Sequence, residues 1–162
     1  GGFTNNFEYK GFDLSVFFQW SYGNDVLNAN RLFFDSGFQK KRELNQYASY
    51  TDRWTPENPN SNIPAATNSS SNLVISSRVV EDASFLRLKT VTLGYTVPKT
   101  FLKKYKIDNA RLYVAAQNLW TITGYSGYDP EVSIRSGGLT PGLDFSSYPR
   151  ALSVSFGINL GF

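Results

Sequence analysis

The stretch YPRALSVSFGINLGF, residues 148–162, decides the fold of this chain. Large apolar side chains occupy every second position of it, at Leu152, Val154, Phe156, Ile158, Leu160 and Phe162. The residues between them are small or polar. Because successive side chains of a β-strand point to opposite faces, the stretch predicts a strand with one apolar face and one polar face.

The length of this strand indicates a membrane. Residues 148–162 would span roughly 50 Å at about 3.3 Å per residue, whereas strands of soluble proteins usually have about five or six residues. Tilted by about 45°, such a strand still crosses the apolar band of an outer-membrane barrel, which is about 25 Å tall. The stretch therefore predicts part of a transmembrane β-barrel wall.

The composition agrees with a barrel and excludes several other classes of protein. Hydrophobic residues make up 41% of the chain, which is too little for a helical membrane protein, and no apolar run approaches the length of a spanning helix. Aromatic residues make up 16%, enough to supply interfacial girdles. A net charge of +3 gives no argument for nucleic-acid binding. The sequence contains no Cys and no His, so disulfides and nucleophile systems that need His are absent from these residues.

The same alternation predicts five strands, near residues 3–9, 12–22, 84–97, 110–122 and 148–162. In the third of them the apolar positions change from even to odd numbers after Leu88. One additional residue near Lys89 and Thr90 would bring both sets to one face, and this predicts a β-bulge.

The connections between these strands alternate between short and long. Residues 10–11 and 98–109 form short connections, whereas residues 23–82 and 124–147 form long ones. Outer-membrane barrels have short periplasmic turns and longer extracellular loops, so the two long segments are predicted to be extracellular. Five strands with open edges cannot lie in hydrocarbon, because their unpaired backbone groups would have no partners. We therefore expect further strands, and a secretion signal, in a longer protein of which this sequence is a piece.

A soluble β-sandwich also has strands with one apolar face. Its solvent face usually carries Lys, Glu and Thr, whereas the polar positions here are mainly Gly, Ser, Asn, Ala and Gln. This difference and the strand lengths favour the lipid-facing wall. A soluble or surface-attached β-sheet module that binds glycans is the second interpretation, and an outer-membrane hydrolase, disfavoured by the missing His, is the third.

Several segments of the sequence resemble one known family. They are DRWTPENPNSNIP (52–64), EDASFLRLKTVTLGY (81–95), RLYVAAQNLWTITGYSGYDPE (111–131) and YPRALSVSFGINLGF (148–162). Together and in this order they resemble the carboxyl-terminal part of SusC/RagA-type TonB-dependent transporters. The resemblance implies an all-β fold, a 22-stranded antiparallel barrel of which these would be the last five strands, closed by an amino-terminal plug domain outside this sequence.

The resemblance also implies a function. Such transporters import glycans or peptides through the cell outer membrane of Gram-negative bacteria, and TonB supplies energy through the plug. They work with a SusD-like surface lipoprotein that acts as a lid. The resemblance thus implies a transporter rather than an enzyme, and it implies no resident cofactor.

Candidate ligand residues lie in the two long segments. Trp54 is a candidate for stacking on a sugar or for contact with the lid protein, although it is also suited to fixing its proline-rich loop to the barrel rim. The segment 124–131 supplies Tyr125, Tyr128, Asp129 and Glu131, whose rings and carboxylates suit sugar stacking and hydroxyl recognition. Asp129 and Glu131 are also candidate calcium ligands. Packing within the turn is the commoner role for such residues.

Polar residues of the strands are expected to line the lumen of the barrel and to contact the plug. They are Asp13, Gln19, Arg111, Tyr113 and Gln117. Phe162 has a different expected role, because a terminal aromatic residue on the last strand resembles the signal that the outer-membrane assembly machinery reads. Anchoring at the membrane interface is a compatible second role for the same ring.

We expect deletion of Phe162 to lower the amount of assembled barrel, because the assembly machinery would lose its signal. The measurement is the yield of heat-modifiable protein in the outer-membrane fraction. Unchanged surface levels after the deletion would remove the assembly role of Phe162.

Overall fold

The computed structural model describes residues 1–37, 45–67, 73–134 and 141–162. In these ranges the chain forms the strands β1 (Gly2–Tyr9), β2 (Phe12–Ser21), β3 (Asp25–Asn28), β4 (Val80–Asp82), β5 (Phe85–Thr96), β6 (Asn109–Thr123), β7 (Leu143–Asp144) and β8 (Ser153–Gly161). Its α-helices are α1 (Asn30–Phe34) and α2 (Lys99–Leu102), and its 3-10 turns are Ala48–Asp52, Ser77–Val79 and Lys103–Tyr105. No helix among the described residues is long and apolar enough to cross a bilayer.

The chain separates into two compact units. The first, called the sheet unit here, consists of Gly1–Tyr22, Ser84–Thr123 and Arg150–Phe162. The second, called the loop unit, consists of Gly23–Ala83 and Gly124–Pro149. The loop unit thus contains the two long segments, and their residues 38–44, 68–72 and 135–140 lie outside the described part of the chain.

The sheet unit is a five-stranded antiparallel sheet with the order β1-β2-β5-β6-β8. The register places apolar side chains in rows across all five strands. One row contains Phe7, Leu14, Leu93, Val114 and Phe156. The neighbouring row is two residues away on each strand and contains Tyr9, Phe12, Tyr95, Leu112 and Ile158. All strands therefore contribute their apolar positions to one face of the sheet.

This apolar face is uncovered within the described part of the chain. Phe156 and Ile158 are 82% and 65% exposed, and Phe7, Leu93 and Leu112 are exposed as well. In a β-sandwich a second sheet would bury these side chains. The face instead has the character of a barrel wall that is built to contact lipid, and the all-β fold class predicted above is confirmed.

The irregular alternation in β5 corresponds to a shift in strand pairing. Leu88 pairs with Phe18 and with Trp120, but the register changes between Leu88 and Thr90 on both sides of β5. Lys89 is the additional residue at this point. The shift keeps Leu88 on the apolar face together with the odd-numbered Leu93, which is the arrangement that a bulge produces.

The last strand is shorter than the sequence predicts. It begins at Ser153, not near residue 148, and its pairing with β6 ends where Ser153 lies opposite Gln117. The next residue of β6, Asn118, has a left-handed backbone with φ of 52°. Its side-chain amide donates a hydrogen bond to the carbonyl of Ala151 at 3.0 Å. The regular ladder therefore stops at this position, and a side-chain contact replaces it.

An ion pair crosses the polar face of the sheet. Arg111 on β6 donates hydrogen bonds to both carboxylate oxygens of Asp13 on β2, with 3.1 Å between Nε and Oδ1. Gly94 on β5 lies between them, and a Cβ atom there would collide with both side chains. The absent side chain of Gly94 therefore allows β2 and β6 to be joined across the intervening strand.

The loop unit has a small mixed sheet of its own. Its order is β4-β3-β7, with β3 antiparallel to β4 and parallel to β7. Two small clusters form its core. One cluster contains Val26, Ala83 and Tyr125, and the other contains Ala29, Leu32 and Val79 with Leu27, Phe33, Leu73 and Leu143 packed against it.

Substitutions on opposite faces of β8 test the assignment of the apolar face. We expect Val154→Arg to impair assembly of the full-length barrel, because Val154 lies opposite Ala116 in the middle of the apolar face, and a cation that faces lipid near the midplane costs roughly 2–4 kcal/mol. Ser155→Arg is the matched control, since Ser155 lies on the polar face opposite Ala115 and this variant should assemble. Heat-modified mobility and the yield from the membrane fraction are measured. Equal behaviour of the two variants would contradict the assigned faces.

A double-mutant cycle tests the role of Gly94. Gly94→Ala should displace the Asp13–Arg111 pair, and Asp13→Asn should remove its charge attraction. We expect the urea midpoint of the folded barrel to fall slightly in each single variant and no further in the double variant, because both changes remove one interaction. Additive losses would show that Gly94 has another role.

Candidate functional site

The loop unit contains a cleft lined by aromatic rings and polar groups, with Arg31 as a charged residue at its smaller cavity. It comprises a cavity of about 500 Å³ and a second cavity of about 330 Å³, and Asn30, Tyr47 and Tyr128 line both of them. Phe34, Gln46, Ser147 and Tyr148 are among the further residues around the larger cavity. We call this region the aromatic cleft.

Helix α1 positions one wall of the aromatic cleft. Asn30 and Phe34 are four residues apart on this helix, so they lie on the same side of it. The ring of Phe34 packs against that of Tyr47 with 5.6 Å between centroids. The backbone N–H of Tyr47 donates to the carbonyl of Phe34 at 2.7 Å. Tyr47 is therefore held at the cleft by both its ring and its backbone.

A buried amide connects a second chain segment to this wall. Asn30 is buried, and its Oδ1 accepts a hydrogen bond from the backbone N–H of Ser146 at 2.6 Å. This contact joins positions that are 116 residues apart in the sequence. It fixes the segment that follows β7, and that segment carries Tyr148 to the edge of the larger cavity.

Two rings of the aromatic cleft are open to solvent. Tyr128 is 83% exposed and Tyr148 is 90% exposed. A tyrosine offers an apolar face for stacking and a hydroxyl that donates and accepts hydrogen bonds. The pair thus provides the mixture of apolar surface and a few polar groups that small-molecule sites usually have.

Polar atoms at the cleft lack partners among the described residues. They include Oε1 of Gln46, Oδ1 of Asn28 and the hydroxyl of Ser147, all of which are shielded from solvent. Buried polar groups in folded proteins are nearly always hydrogen-bonded to protein or to water. These three atoms therefore have hydrogen-bonding capacity that no described residue uses.

A network of charged residues supports the cleft. Asp35 is fully buried, and Arg31 and Arg78 form ion pairs with it at 3.2 Å and 3.5 Å. The hydroxyl of Ser49 donates to the same carboxylate at 3.1 Å. Arg31 also pairs with Glu81 at 3.3 Å. The network connects α1 with β4 and with the 3-10 turn at Ala48–Asp52, because each contributes one of these groups.

Glu81 anchors the segment that presents Tyr128. Its carboxylate accepts hydrogen bonds from the backbone N–H of Ser126 at 3.0 Å and from the Ser126 hydroxyl at 2.9 Å. Burial opposes the charged form of Glu81, but the bonds from Ser126 and Asn28 and the charge of Arg31 outweigh it and lower the pKa of this carboxyl. Glu81 is consequently ionised at neutral pH and fixes the turn that precedes Tyr128.

The predicted ligand residues of segment 124–131 have different positions. Tyr128 lines the aromatic cleft, whereas Tyr125 is buried in the core and donates a hydrogen bond from its hydroxyl to Asp144 at 2.7 Å. Burial and that hydrogen bond raise the pKa of Tyr125 far above its ordinary value. Tyr125 therefore packs in the core, which is the second of the two roles considered for the residues of this segment.

The two acidic residues of this segment form a local turn. Asp129 is buried, and its Oδ1 accepts a hydrogen bond from the backbone N–H of Glu131 at 3.0 Å. Within the ranges that the structure describes, no group of three or more His, Cys, Asp or Glu residues is placed to hold a metal ion. The calcium site at Asp129 and Glu131 stays a prediction without further support.

Trp54 is not among the described residues that line the aromatic cleft. Its side chain is exposed, and its backbone N–H donates to the carbonyl of Ile63 at 2.8 Å. The side-chain amide of Asn58 donates to the carbonyl of Asp52 at 3.0 Å. The proline-rich segment is therefore closed by its own hydrogen bonds, which leave the Trp54 ring accessible.

The residues predicted to line the lumen share the polar face of the sheet unit. Asp13 lies in a row with Gly94 and Tyr113, and the Tyr113 ring covers Gly157. Gln19 lies opposite Arg87 on β5, and Gln117 lies opposite Ser153 on β8. That this face borders the lumen stays a prediction.

Sequence reasoning missed several residues that build these sites. They are Asn30, Tyr47, Glu81, Ser126 and Tyr148 in the loop unit and Arg87 in the sheet unit, where Arg87 is buried and donates to the Thr121 hydroxyl at 2.9 Å. Glu81 and Ser126 belong to the family-like segments 81–95 and 111–131. The contact between these two residues could not be predicted, because a single sequence does not show which distant positions are in contact.

Comparison with known proteins places the chain among TonB-dependent receptors. No protein-family model matches it. TonB-dependent receptor P3 of Formosa agariphila is 38% identical over 166 residues, which cover 99% of this chain and 16% of the relative. TonB-dependent receptor SusC of Bacteroides thetaiotaomicron is 29% identical and covers 99% of this chain, which matches 15% of that receptor. The chain thus spans about a sixth of the length of these relatives.

A solved structure gives the same result. The chain superimposes on the RagAB peptide transporter with a TM-score of 0.81 and 31% sequence identity, over 99% of this chain and 17% of the matched one. The uncovered apolar face, the alternating connections and these similarities agree. The chain belongs to the SusC/RagA-type TonB-dependent transporters and corresponds to their carboxyl-terminal part.

Proposed function

We propose that the protein containing this chain imports neutral oligosaccharides through the outer membrane of a Gram-negative bacterium, with energy supplied by TonB. In this proposal it acts as a transporter and not as an enzyme. In this proposal the sheet unit forms part of the barrel wall, and the two long connections are extracellular. The family assignment supports import, and the aromatic cleft supports the substrate class.

One observation carries the choice of a sugar. The described residues around the larger cavity are all uncharged, and the exposed Tyr128 and Tyr148 border it together with Tyr47. Sugar rings present apolar C–H faces that stack on aromatic rings, and their hydroxyls bond to amides such as Gln46. Arg31 at the smaller cavity is paired with Asp35 and Glu81. Among the described residues of the cleft, a ligand with charged ends would therefore find no unpaired counter-charge.

A second candidate substrate is an oligopeptide. The similarity to the RagAB peptide transporter favours it. In this alternative, the backbone of a peptide forms hydrogen bonds with the amide and hydroxyl groups that line the cleft. The two candidates differ in charge, so they are separable by binding experiments with ligands of each kind.

The proposed partner of the transporter is a surface lipoprotein of the SusD type. The similarity of this chain, over nearly its whole length, to the RagAB peptide transporter supports such a partner. The exposed Trp54 is the large side chain of the loop unit that we assign to contact with such a lid.

Substitutions at the two exposed tyrosines test the site. In the full-length transporter, Tyr128→Ala and Tyr148→Ala should each weaken binding of a transported oligosaccharide by about 2- to 12-fold, since one aromatic contact contributes about 0.5–1.5 kcal/mol. Tyr128→Phe and Tyr148→Phe are the matched controls and should retain most of the affinity, because they keep the ring.

The measurement is calorimetric binding to panels of neutral oligosaccharides and of oligopeptides, with assembly checked by heat-modifiability. Loss of peptide binding alone would replace the sugar by a peptide as substrate. Unchanged affinity of both alanine variants for every transported ligand would refute the aromatic cleft as the binding site.

A further inference from the structure

The connection between β5 and β6 carries a concentration of positive charge. Lys99, Lys103, Lys104 and Lys106 lie within it, and they are half of the eight lysines in the chain. All four are exposed. Asp108 is the one carboxylate of the connection, so a strong positive charge remains. We call residues 97–109 the lysine turn.

The lysine turn has a defined structure. Helix α2 is followed directly by the 3-10 turn at Lys103–Tyr105, and Leu102, the last residue of α2, is buried. The backbone N–H of Val97 donates to the carbonyl of Ala110 at 2.9 Å, and that of Asp108 donates to Gly161 at 2.8 Å. The lysines are therefore presented from a turn that is fixed to β6 and β8.

Large aromatic side chains are exposed between these lysines. Phe101 and Tyr105 are 69% and 67% exposed. Exposed aromatic rings next to lysines are characteristic of the border between lipid and water, where the ring lies at headgroup level and the lysine stem extends to the charged surface.

The neighbouring hairpin has the same character. Its turn is bonded to the end of β5, because the N–H of Thr96 donates to the carbonyl of Gly11 at 2.7 Å. Tyr9 and Phe12 are exposed on either side of Lys10 and belong to the last row of the apolar face. The last row of the apolar face, the hairpin turn with Lys10 and the lysine turn thus lie at the same edge of the sheet unit.

We propose that the lysine turn binds the anionic headgroups of phospholipids at the membrane surface. The inference rests on the outer-membrane location proposed above, in which the short turns face the periplasm. The positive charge complements a phosphate-bearing headgroup, and the continuity with the lipid-facing surface favours lipid over a soluble protein partner. Each lysine close to an anionic surface strengthens the association by about fivefold, an effect that salt weakens.

Native mass spectrometry of the full-length transporter tests this proposal. The protein in detergent is mixed with phosphatidylglycerol and phosphatidylethanolamine of identical acyl chains, and the retained lipid is counted. The wild type should retain phosphatidylglycerol preferentially. The triple variant Lys103→Gln, Lys104→Gln, Lys106→Gln should lose this preference by at least about tenfold.

The matched control exchanges the same three lysines for arginine. It keeps the charge and should keep the preference for phosphatidylglycerol. A second variant, Phe101→Ser with Tyr105→Ser, should retain less of both lipids without changing their ratio. Equal preference in the wild type and in the glutamine variant would overturn the proposal and leave the lysines as a solvated surface or as a contact for a protein.

The outcome is separable from that of the proposed function. Heat-modifiability shows whether each variant is assembled, and oligosaccharide binding at the aromatic cleft reports on the proposed site. The glutamine variant should bind oligosaccharide as the wild type does. A protein that retains anionic lipid normally but binds no transported ligand would refute the importer proposal and not the lipid site.

Discussion

The structure depends on the need to cover one face of a five-stranded sheet. The apolar rows of the sheet unit are continuous across all five strands, and no other layer among the described residues buries them. In water such a surface would be far larger than the apolar patches that soluble monomers expose. In lipid, exposure of the same surface carries no free-energy penalty. Hydrocarbon requires every backbone N–H and C=O group to be hydrogen-bonded, and the pairing of the inner strands meets this requirement.

The loop unit follows a different principle, because it is held together largely by polar contacts. Its apolar clusters are small, and the fully buried Asp35 with its two arginines occupies the space that a larger apolar core would fill. Buried charges are costly unless they are paired and hydrogen-bonded. Because the paired network supports the loop unit, the rings of Tyr128 and Tyr148 are not required in its core and remain at the surface.

The sequence predicted the features that depend on local periodicity. The alternation identified the barrel wall, and the break after Leu88 corresponds to the observed shift in register. It did not predict which tyrosine of segment 124–131 would be buried. Tyr125 and Tyr128 have similar local sequences, but contacts of Tyr125 with Val26 and Ala83, distant in the chain, decide its burial. The start of β8 escaped prediction for the same reason, since the left-handed Asn118 on a neighbouring strand determines it.

The link from Arg111 to Asp13 over Gly94 has a consequence for how the strands find their alignment. A displacement of β5 by one position would turn Leu93 or Tyr95 toward the guanidinium, because neighbouring residues of a strand face opposite ways. Only the position without a side chain leaves a passage for the arginine. Gly94 therefore helps to specify the register of the three strands, because an alignment shifted by one residue would place a side chain where the arginine must pass.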